Sequence, residues 1–144
     1  MIPFFVLVIS FGVCRAMGYI GWTFFDGWHP SLQGAVAIML FLTASAHWGK
    51  RREDLIRMVP SRFPNPGMIV TLTGLLEIVG ALGLLYSATS QAASIGLAVL
   101  LVAMFPANVK AAREGLTIGG RPVPSLPART LLQLVFIGAV LLAG

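Results

Sequence analysis

Five long apolar segments constrain this chain more than any other feature of its sequence. They cover residues 2–25, 31–48, 67–86, 91–109 and 128–144. A helix needs roughly 20 apolar residues to cross the hydrocarbon core of a bilayer, which is about 30 Å thick. The composition agrees, because 57% of the residues are hydrophobic and 10% are charged, against about 25% charged in soluble domains. The sequence therefore predicts an all-α, polytopic transmembrane bundle of five helices, forming one domain over residues 1–144.

The first segment differs from a secretory signal peptide in three respects. It has no basic residues before its apolar stretch, it carries Arg15 within that stretch, and it offers no clear small-x-small cleavage site. We therefore expect this segment to be retained as a helix.

The basic residues predict the orientation of the helices, because Lys and Arg near membrane ends stay on the cytoplasmic side. Loops 26–30 and 87–91 contain no basic residue. The segments after the second and fourth helices hold nine of them: Lys50, Arg51, Arg52, Arg57, Arg62, Lys110, Arg113, Arg121 and Arg129. We expect a cytoplasmic N-terminus and an external C-terminus. The net charge of +5 then indicates membrane insertion and contact with anionic lipids, and it gives no reason to expect nucleic acid.

Two connecting segments have recognisable patterns. Residues 53–59, EDLIRMV, combine four apolar residues with three charged ones, and they fit either an amphipathic helix on the inner interface or a plain loop. Prolines after this segment prevent the helix from continuing. Residues 117–127, TIGGRPVPSLP, predict a loop.

The scarcity of cysteine and histidine excludes several kinds of site. Cys14 is the only cysteine, so the chain has no intrachain disulfide relay. His29 and His47 are the only histidines, and the predicted topology places them on opposite sides of the membrane, which leaves no bis-His haem, zinc or di-iron site. Any chemistry would need a borrowed cofactor, such as a quinone, or a partner subunit.

Polar residues inside the predicted helices fall into two layers when depth is counted at 1.5 Å per residue. His47, Asn108 and Gln133 share a layer near the cytoplasmic side. Arg15 and Glu77 lie deeper, about 20 and 15 Å from the inner face, and therefore close to the midplane. A charge at the centre of a bilayer is costly, so these residues need partners or a function.

Arg15 and Glu77 could satisfy each other as a buried ion pair. Both are flanked at helical spacing by small residues that allow helices to approach closely. This pair either fixes only the helix register, or Glu77 lines a cavity that takes a polar head group or a proton. In the inner layer, Pro106 leaves the Val102 carbonyl without its helical donor, and Asn108 either satisfies backbone groups freed in this way or binds a ligand.

Six stretches of the sequence together resemble the DoxX family of small bacterial membrane proteins. They are SAHW at 45–48, DLIRMVP at 54–60, FPNPG at 63–67, LTGLLEIVGALGLL at 72–85, VAMFPANVKAA at 102–112 and LPARTLLQ at 126–133. The typical family pattern is a His-aromatic at a helix end, a Val-Pro or Met-Pro in the next loop, Gly-x-x-Glu, Phe-Pro-Ala-Asn and finally Arg-x-x-x-Gln. The resemblance covers residues 30–144 and matches the family positions at His47, Glu77, Pro106, Asn108, Arg129 and Gln133.

The resemblance implies a four-helix core that begins at the His-bearing helix. The first helix, with Arg15, is then an extra N-terminal element, and Trp48 replaces the more usual Phe. Some family members are associated with quinone-linked sulfur oxidation or with oxidative-stress complexes, and most have no assigned activity. The resemblance also implies a bacterial inner-membrane location.

Three functions remain open on these residues, and whether the chain is an enzyme is open with them. The first is a redox-associated subunit in which His47, Glu77, Asn108 and Gln133 line an inner-leaflet cavity for a quinone or a similar isoprenoid lipid. The second is an assembly or scaffold protein whose polar residues only fix packing. The third is a small-solute transporter. The expected partners are membrane lipids and either a redox enzyme subunit or further copies of the chain.

Overall fold

The computed structural model describes all 144 residues and is helical almost throughout. A single turn of 3-10 helix covers Thr23–Phe25, and a two-stranded antiparallel hairpin pairs β1 (Thr117–Ile118) with β2 (Arg121–Pro122). The α-helices are α1 (Ile2–Tyr19), α2 (Trp28–Ser45), α3 (Arg52–Met58), α4 (Pro66–Leu84), α5 (Ser90–Arg113) and α6 (Leu126–Ala143). The predicted all-α class is confirmed.

Four helices, α1, α4, α5 and α6, are long and apolar enough to cross a membrane. The predicted count of five is not confirmed, because α2 does not belong to this set. Its first turns carry His29, Ser31 and Gln33, which lower its hydropathy. Nevertheless α2 is the central helix: nine of its eighteen residues are buried, and it packs against α1, α4 and α6. Its neighbours therefore shield much of its surface.

The long helices run alternately up and down, which gives the bundle two distinct ends. Gly83, near the end of α4, contacts Ala93, near the start of α5. His29, in the first turn of α2, lies 2.9 Å from the Gly144 carbonyl oxygen after α6. One end of the bundle holds the α2–α4 and α5–α6 connections, and we call it the basic end. Nine of the ten Lys and Arg residues lie in these connections or in the adjoining helix turns, and the exception is Arg15.

A small cap covers the basic end. The segment after α2 forms the short helix α3, one of the two structures that its pattern allowed, and α3 packs against α4, α5 and β1. The Gly119 amide donates to the Asp54 carboxylate at 2.9 Å, and the Lys110 ammonium donates to the Val59 carbonyl at 3.0 Å. Gly119 and Gly120 both have positive φ, of 60° and 77°, which allows the tight hairpin turn within the predicted loop. The cap thus joins both basic connections.

Candidate functional site

Glu77 of α4 is buried in the middle of the bundle against α2. Its side chain lies eleven residues after the start of α4, which corresponds to about 17 Å along the helix. Only 4% of its surface is exposed. The Thr43 hydroxyl donates to Oε2 at 2.7 Å, and His47 Nε2 lies 3.9 Å from Oε1. The buried carboxylate therefore has a hydroxyl donor and a histidine as its polar neighbours.

His47 lies at the level of Glu77 because α2 ends early. Its last residue is Ser45, and Thr43, near this end, contacts Glu77 in the middle of α4. The next residues form a turn in which His47 Nδ1 lies 3.1 Å from the Thr43 carbonyl oxygen. Arg52, at the start of α3, donates to the His47 carbonyl at 2.7 Å and to the Gly67 carbonyl at 2.9 Å. Arg52 therefore ties the turn that bears His47 to the first residues of α4.

Gly74 explains how the imidazole comes so close to α4. A Cβ at this position would lie 2.8 Å from both Cβ and Cγ of His47 and 2.9 Å from the Trp48 ring. Any side chain larger than hydrogen would therefore displace the His-Trp pair. Because residues three apart share a helix face, Gly74 places His47 directly beside Glu77, and the Gly-x-x-Glu spacing acquires a structural meaning.

The predicted ion pair between Arg15 and Glu77 is not present in the structure. The Arg15 guanidinium donates to the Phe25 carbonyl at 3.3 Å, the Asp26 carbonyl at 2.6 Å and the Tyr19 hydroxyl at 2.8 Å. The reason is that α1 ends at Tyr19 and not near residue 25. Arg15 is therefore within about one turn of the helix end, where it binds carbonyls of the following loop, and α1 packs against α2 whereas Glu77 lies on α4.

Asn108 and Gln133 form a second polar group, between α5 and α6. Arg129 Nη2 donates to Asn108 Oδ1 at 2.5 Å, Asn108 Nδ2 donates to Gln133 Oε1 at 3.3 Å, and Gln133 Nε2 donates to the Leu101 carbonyl at 2.5 Å. Arg129 Nε is the one buried side-chain N or O atom without a partner. The chain of donors runs from a cation to a backbone oxygen five residues before Pro106.

The four predicted site residues therefore lie in two groups. His47 and Glu77 belong to the α2–α4 pair, whereas Asn108 and Gln133 belong to the α5–α6 pair. No hydrogen bond joins the two groups, and other residues line both a polar cavity between α5 and α6 and an apolar cavity beside α2. The expectation that Asn108 satisfies the Val102 carbonyl is not met, because its side chain binds Arg129 and Gln133, and the Gln133 amide binds the neighbouring Leu101 carbonyl.

Two residues of the first group, Thr43 and Arg52, were not predicted as site residues from the sequence. Thr43 was hidden within an apolar helix, although its position four residues before His47 places both on one helix face. Arg52 was counted only as one of several basic loop residues. Neither polar group contains metal-ligating side chains in sufficient number, since no three His, Cys, Asp or Glu residues lie close enough to hold an ion. The chemistry that the α2–α4 group can perform is proton exchange between a carboxylate and an imidazole.

The fold and its buried polar groups are typical of a multi-pass membrane protein with several apolar helices around a central one. Residues 36–143 match the model of a family described as Domain of unknown function (DUF8561), and the chain belongs to that family. The match begins within α2 and extends to the end of α6, so α1 lies outside it. No curated protein and no solved structure matches the chain.

Proposed function

We propose that this chain is a DoxX-like, redox-associated membrane protein that binds the head group of a quinone or a similar isoprenoid lipid at Glu77 and His47. One observation carries the proposal. The Glu77 carboxylate is buried at mid-bundle with a histidine, and not with a permanent cation, as its nearest ionisable neighbour. Ionisable residues at membrane depth usually mark ion, proton or substrate sites.

The residues around Glu77 have groups to offer such a ligand. The distance of 3.9 Å between His47 Nε2 and Glu77 Oε1 is too long for a direct hydrogen bond, so both atoms remain available to an oxygen placed near them. A quinone would supply reversible transfer of two electrons and two protons. His47 would hold a ligand oxygen, Glu77 would hold or release a proton, and Thr43 and Arg52 would keep these two side chains in position.

Asn108 and Gln133 have a structural role in this proposal and do not bind the ligand. Their amide groups already bind each other, Arg129 and Leu101, so little hydrogen-bonding capacity is left for a ligand. We therefore assign the α5–α6 group to packing, and we confine the ligand site to the α2–α4 group.

The proposal places the basic end in the cytoplasm of a bacterial cell and the opposite end outside its inner membrane. The distribution of Lys and Arg supports this orientation. It also takes α2 as a fifth crossing helix, because its eighteen residues run antiparallel to α1 and α4 and pack between the spanning helices. A helix surrounded in this way can carry polar groups that a lipid-facing helix cannot. The family match that excludes α1 parallels the four-helix core of DoxX proteins.

The test is to purify the protein from native membranes in mild detergent and to analyse its lipid extract by mass spectrometry. We expect a quinone or isoprenoid lipid that co-purifies with the wild type and is lost in His47→Ala and Glu77→Gln at unchanged folded fraction. His29→Ala is the matched control, because it removes the other histidine, at the opposite end of the bundle. Equal lipid content in all four proteins would contradict the proposal.

A scaffold or assembly role is the second candidate, and the completeness of the hydrogen bonding favours it. Every buried side-chain N or O atom except Arg129 Nε has a partner, as expected where polar groups only fix helix packing. On this alternative, the same extracts contain no specific lipid, and His47→Ala lowers the thermal stability of the protein without any loss of ligand.

A further inference from the structure

The bundle has a polar cavity at the end opposite the basic residues. Its volume is about 510 Å³, and it opens to the surface between the first turns of α5 and the end of α6. The lining residues are Ser87, Ser90, Gln91, Ser94, Ile95, Leu141 and Gly144. None of these side chains is charged. The cavity is therefore distinct from the Glu77–His47 site and from both basic connections.

Ser94 provides an unused hydrogen-bonding group inside this cavity. Only 3% of its surface is exposed, and its hydroxyl makes no hydrogen bond within the protein. Because the Ser94 oxygen is not among the fully buried atoms that lack a partner, this hydroxyl is open to the cavity, where a bound polar molecule can use it as donor or acceptor. Ser90 is 8% exposed, and its hydroxyl makes only a long hydrogen bond, of 3.3 Å, to the Ser87 carbonyl.

The start of α5 adds backbone donors to the same wall. No side chain caps this helix, since the Thr89 hydroxyl binds the Gly83 and Tyr86 carbonyls instead. The first intrahelical donor is the Ala93 amide, which leaves the N–H groups of Ser90 and Gln91 without partners, as is usual at helix starts. The positive end of the α5 dipole is therefore uncovered beside Ser94.

The opposite wall has the reverse polarity, because it is the carbonyl end of α6. His29 and Gln33 of α2 hold the carbonyls of Gly144 and Ala143 at 2.9 Å each. A carbonyl oxygen has two lone pairs, so the Gly144 carbonyl can still accept a second hydrogen bond opposite the donors of α5, which suits a ligand that has both kinds of group and no net charge. Ile95 and Leu141 add apolar surface, which suits the carbon face of a sugar ring.

We propose that this cavity binds a neutral, hydroxyl-rich ligand, namely a glycosyl group. The group could belong to a glycolipid of the adjacent leaflet or to a free sugar, and both sources present the same hydroxyls. An ion is disfavoured because no charged side chain lines the cavity to repay its desolvation.

The proposal can be tested with a fluorophore at the rim of the cavity. Ser87→Cys introduces an exposed thiol there, whereas the native Cys14 is buried, so labelled wild type reports the background. The labelled protein in phosphatidylcholine nanodiscs is titrated with glucose, and in a second arm with nanodiscs that contain monoglucosyl diacylglycerol. We expect a saturable fluorescence change in at least one arm. A change with glucose identifies a free sugar as sufficient, and a change with the glycolipid alone identifies a membrane source.

Variants decide whether the change reports this cavity. Loss of one neutral hydrogen bond is expected to weaken binding about fivefold to tenfold in Ser94→Ala. Gln91 is exposed at the same cavity, so Gln91→Ala gives a second variant that does not disturb packing. We expect a similar loss of affinity in this variant. Ser61→Ala, in the connection at the basic end, is the control and should bind as the wild type does. The proposal is overturned if neither arm gives a saturable change, or if both cavity variants respond as the wild type does. It is also overturned if nanodiscs that contain phosphatidylglycerol give a larger change than those that contain the glycolipid.

Discussion

His47 and Gly74 lie in direct contact. This contact sets the position of the His47 imidazole beside Glu77, which is the only buried carboxylate of the bundle. A Cβ at Gly74 would come within 2.8 Å of His47 Cβ and Cγ. The absence of a side chain at Gly74 lets the turn after α2 press against α4, one helical turn from Glu77. The geometry of the candidate site therefore depends on a glycine that makes no polar contact itself.

Gly74→Ala should displace His47 and Trp48 and destabilise the protein. We expect a loss of about 1–3 kcal/mol in the free energy of unfolding, as is common when atoms are added to a packed interior. Gly96→Ala is the matched control, because a Cβ there meets no atom within 4 Å and alanine favours the helix. Unfolding in mixed micelles measures both variants. Equal stability of the two would show that the contact with His47 is not tight.

Thr43 and Glu77 should be energetically coupled, whereas Arg15 and Glu77 should not. The Thr43 hydroxyl binds the Glu77 carboxylate at 2.7 Å. Arg15, in contrast, binds carbonyls of the loop that follows α1. In double-mutant cycles with Glu77→Leu, we expect a coupling free energy above about 0.5 kcal/mol for Thr43→Val and additive losses within that limit for Arg15→Ala. Strong coupling of Arg15 to Glu77 would restore the ion pair predicted from the sequence.

The sequence predicted the helices better than it predicted their partners. Long apolar runs locate α1, α4, α5 and α6 because a membrane helix must satisfy its own backbone over about 20 residues. Depth counting failed for Arg15 because a similar depth does not make two helices neighbours: α1 packs against α2, whereas Glu77 lies on α4. The first helix also ends at Tyr19, six residues before its predicted end, so that the Phe25 and Asp26 carbonyls come within reach of the guanidinium.

The pairing of His47 with Glu77 could not be read from spacing alone. His47 lies beyond the end of α2, and its depth depends on how far α4 extends past that end, which only tertiary packing sets. Asn108 and Gln133, by contrast, have a similar depth by counting, and their side chains share a hydrogen bond. Their helices α5 and α6 are adjacent in both sequence and space, so the count from each helix end was sufficient.

Gln133→Leu should destabilise the α5–α6 interface through the groups that it leaves unpaired. The substitution removes the donor to the Leu101 carbonyl and the acceptor for Asn108. A buried polar group left without a partner costs about 1–3 kcal/mol, so we expect a loss of at least that size in mixed-micelle unfolding. Gln91→Leu, an exposed amide that makes no hydrogen bond within the protein, should change the stability by no more than about 0.5 kcal/mol. Similar values for both variants would remove the structural role assigned to the polar group.

The orientation of the bundle can be tested with reporter fusions that are active on only one side of the membrane. A fusion after Gly120 lies in the hairpin at the basic end, and a fusion after Gly144 follows α6 at the opposite end. Because basic loops are retained in the cytoplasm, we expect the first fusion to report inside and the second to report outside. A third fusion, at residue 1, tests α2, since five crossings are required to place residue 1 and Gly144 on opposite sides, whereas four would place them together. Fusions after Gly120 and Gly144 that report on the same side would show that α6 does not cross. If these two differ but residue 1 and Gly144 lie on the same side, another of the five long helices does not cross, and α2, with its polar first turns, would be the first to examine by fusions on either side of it.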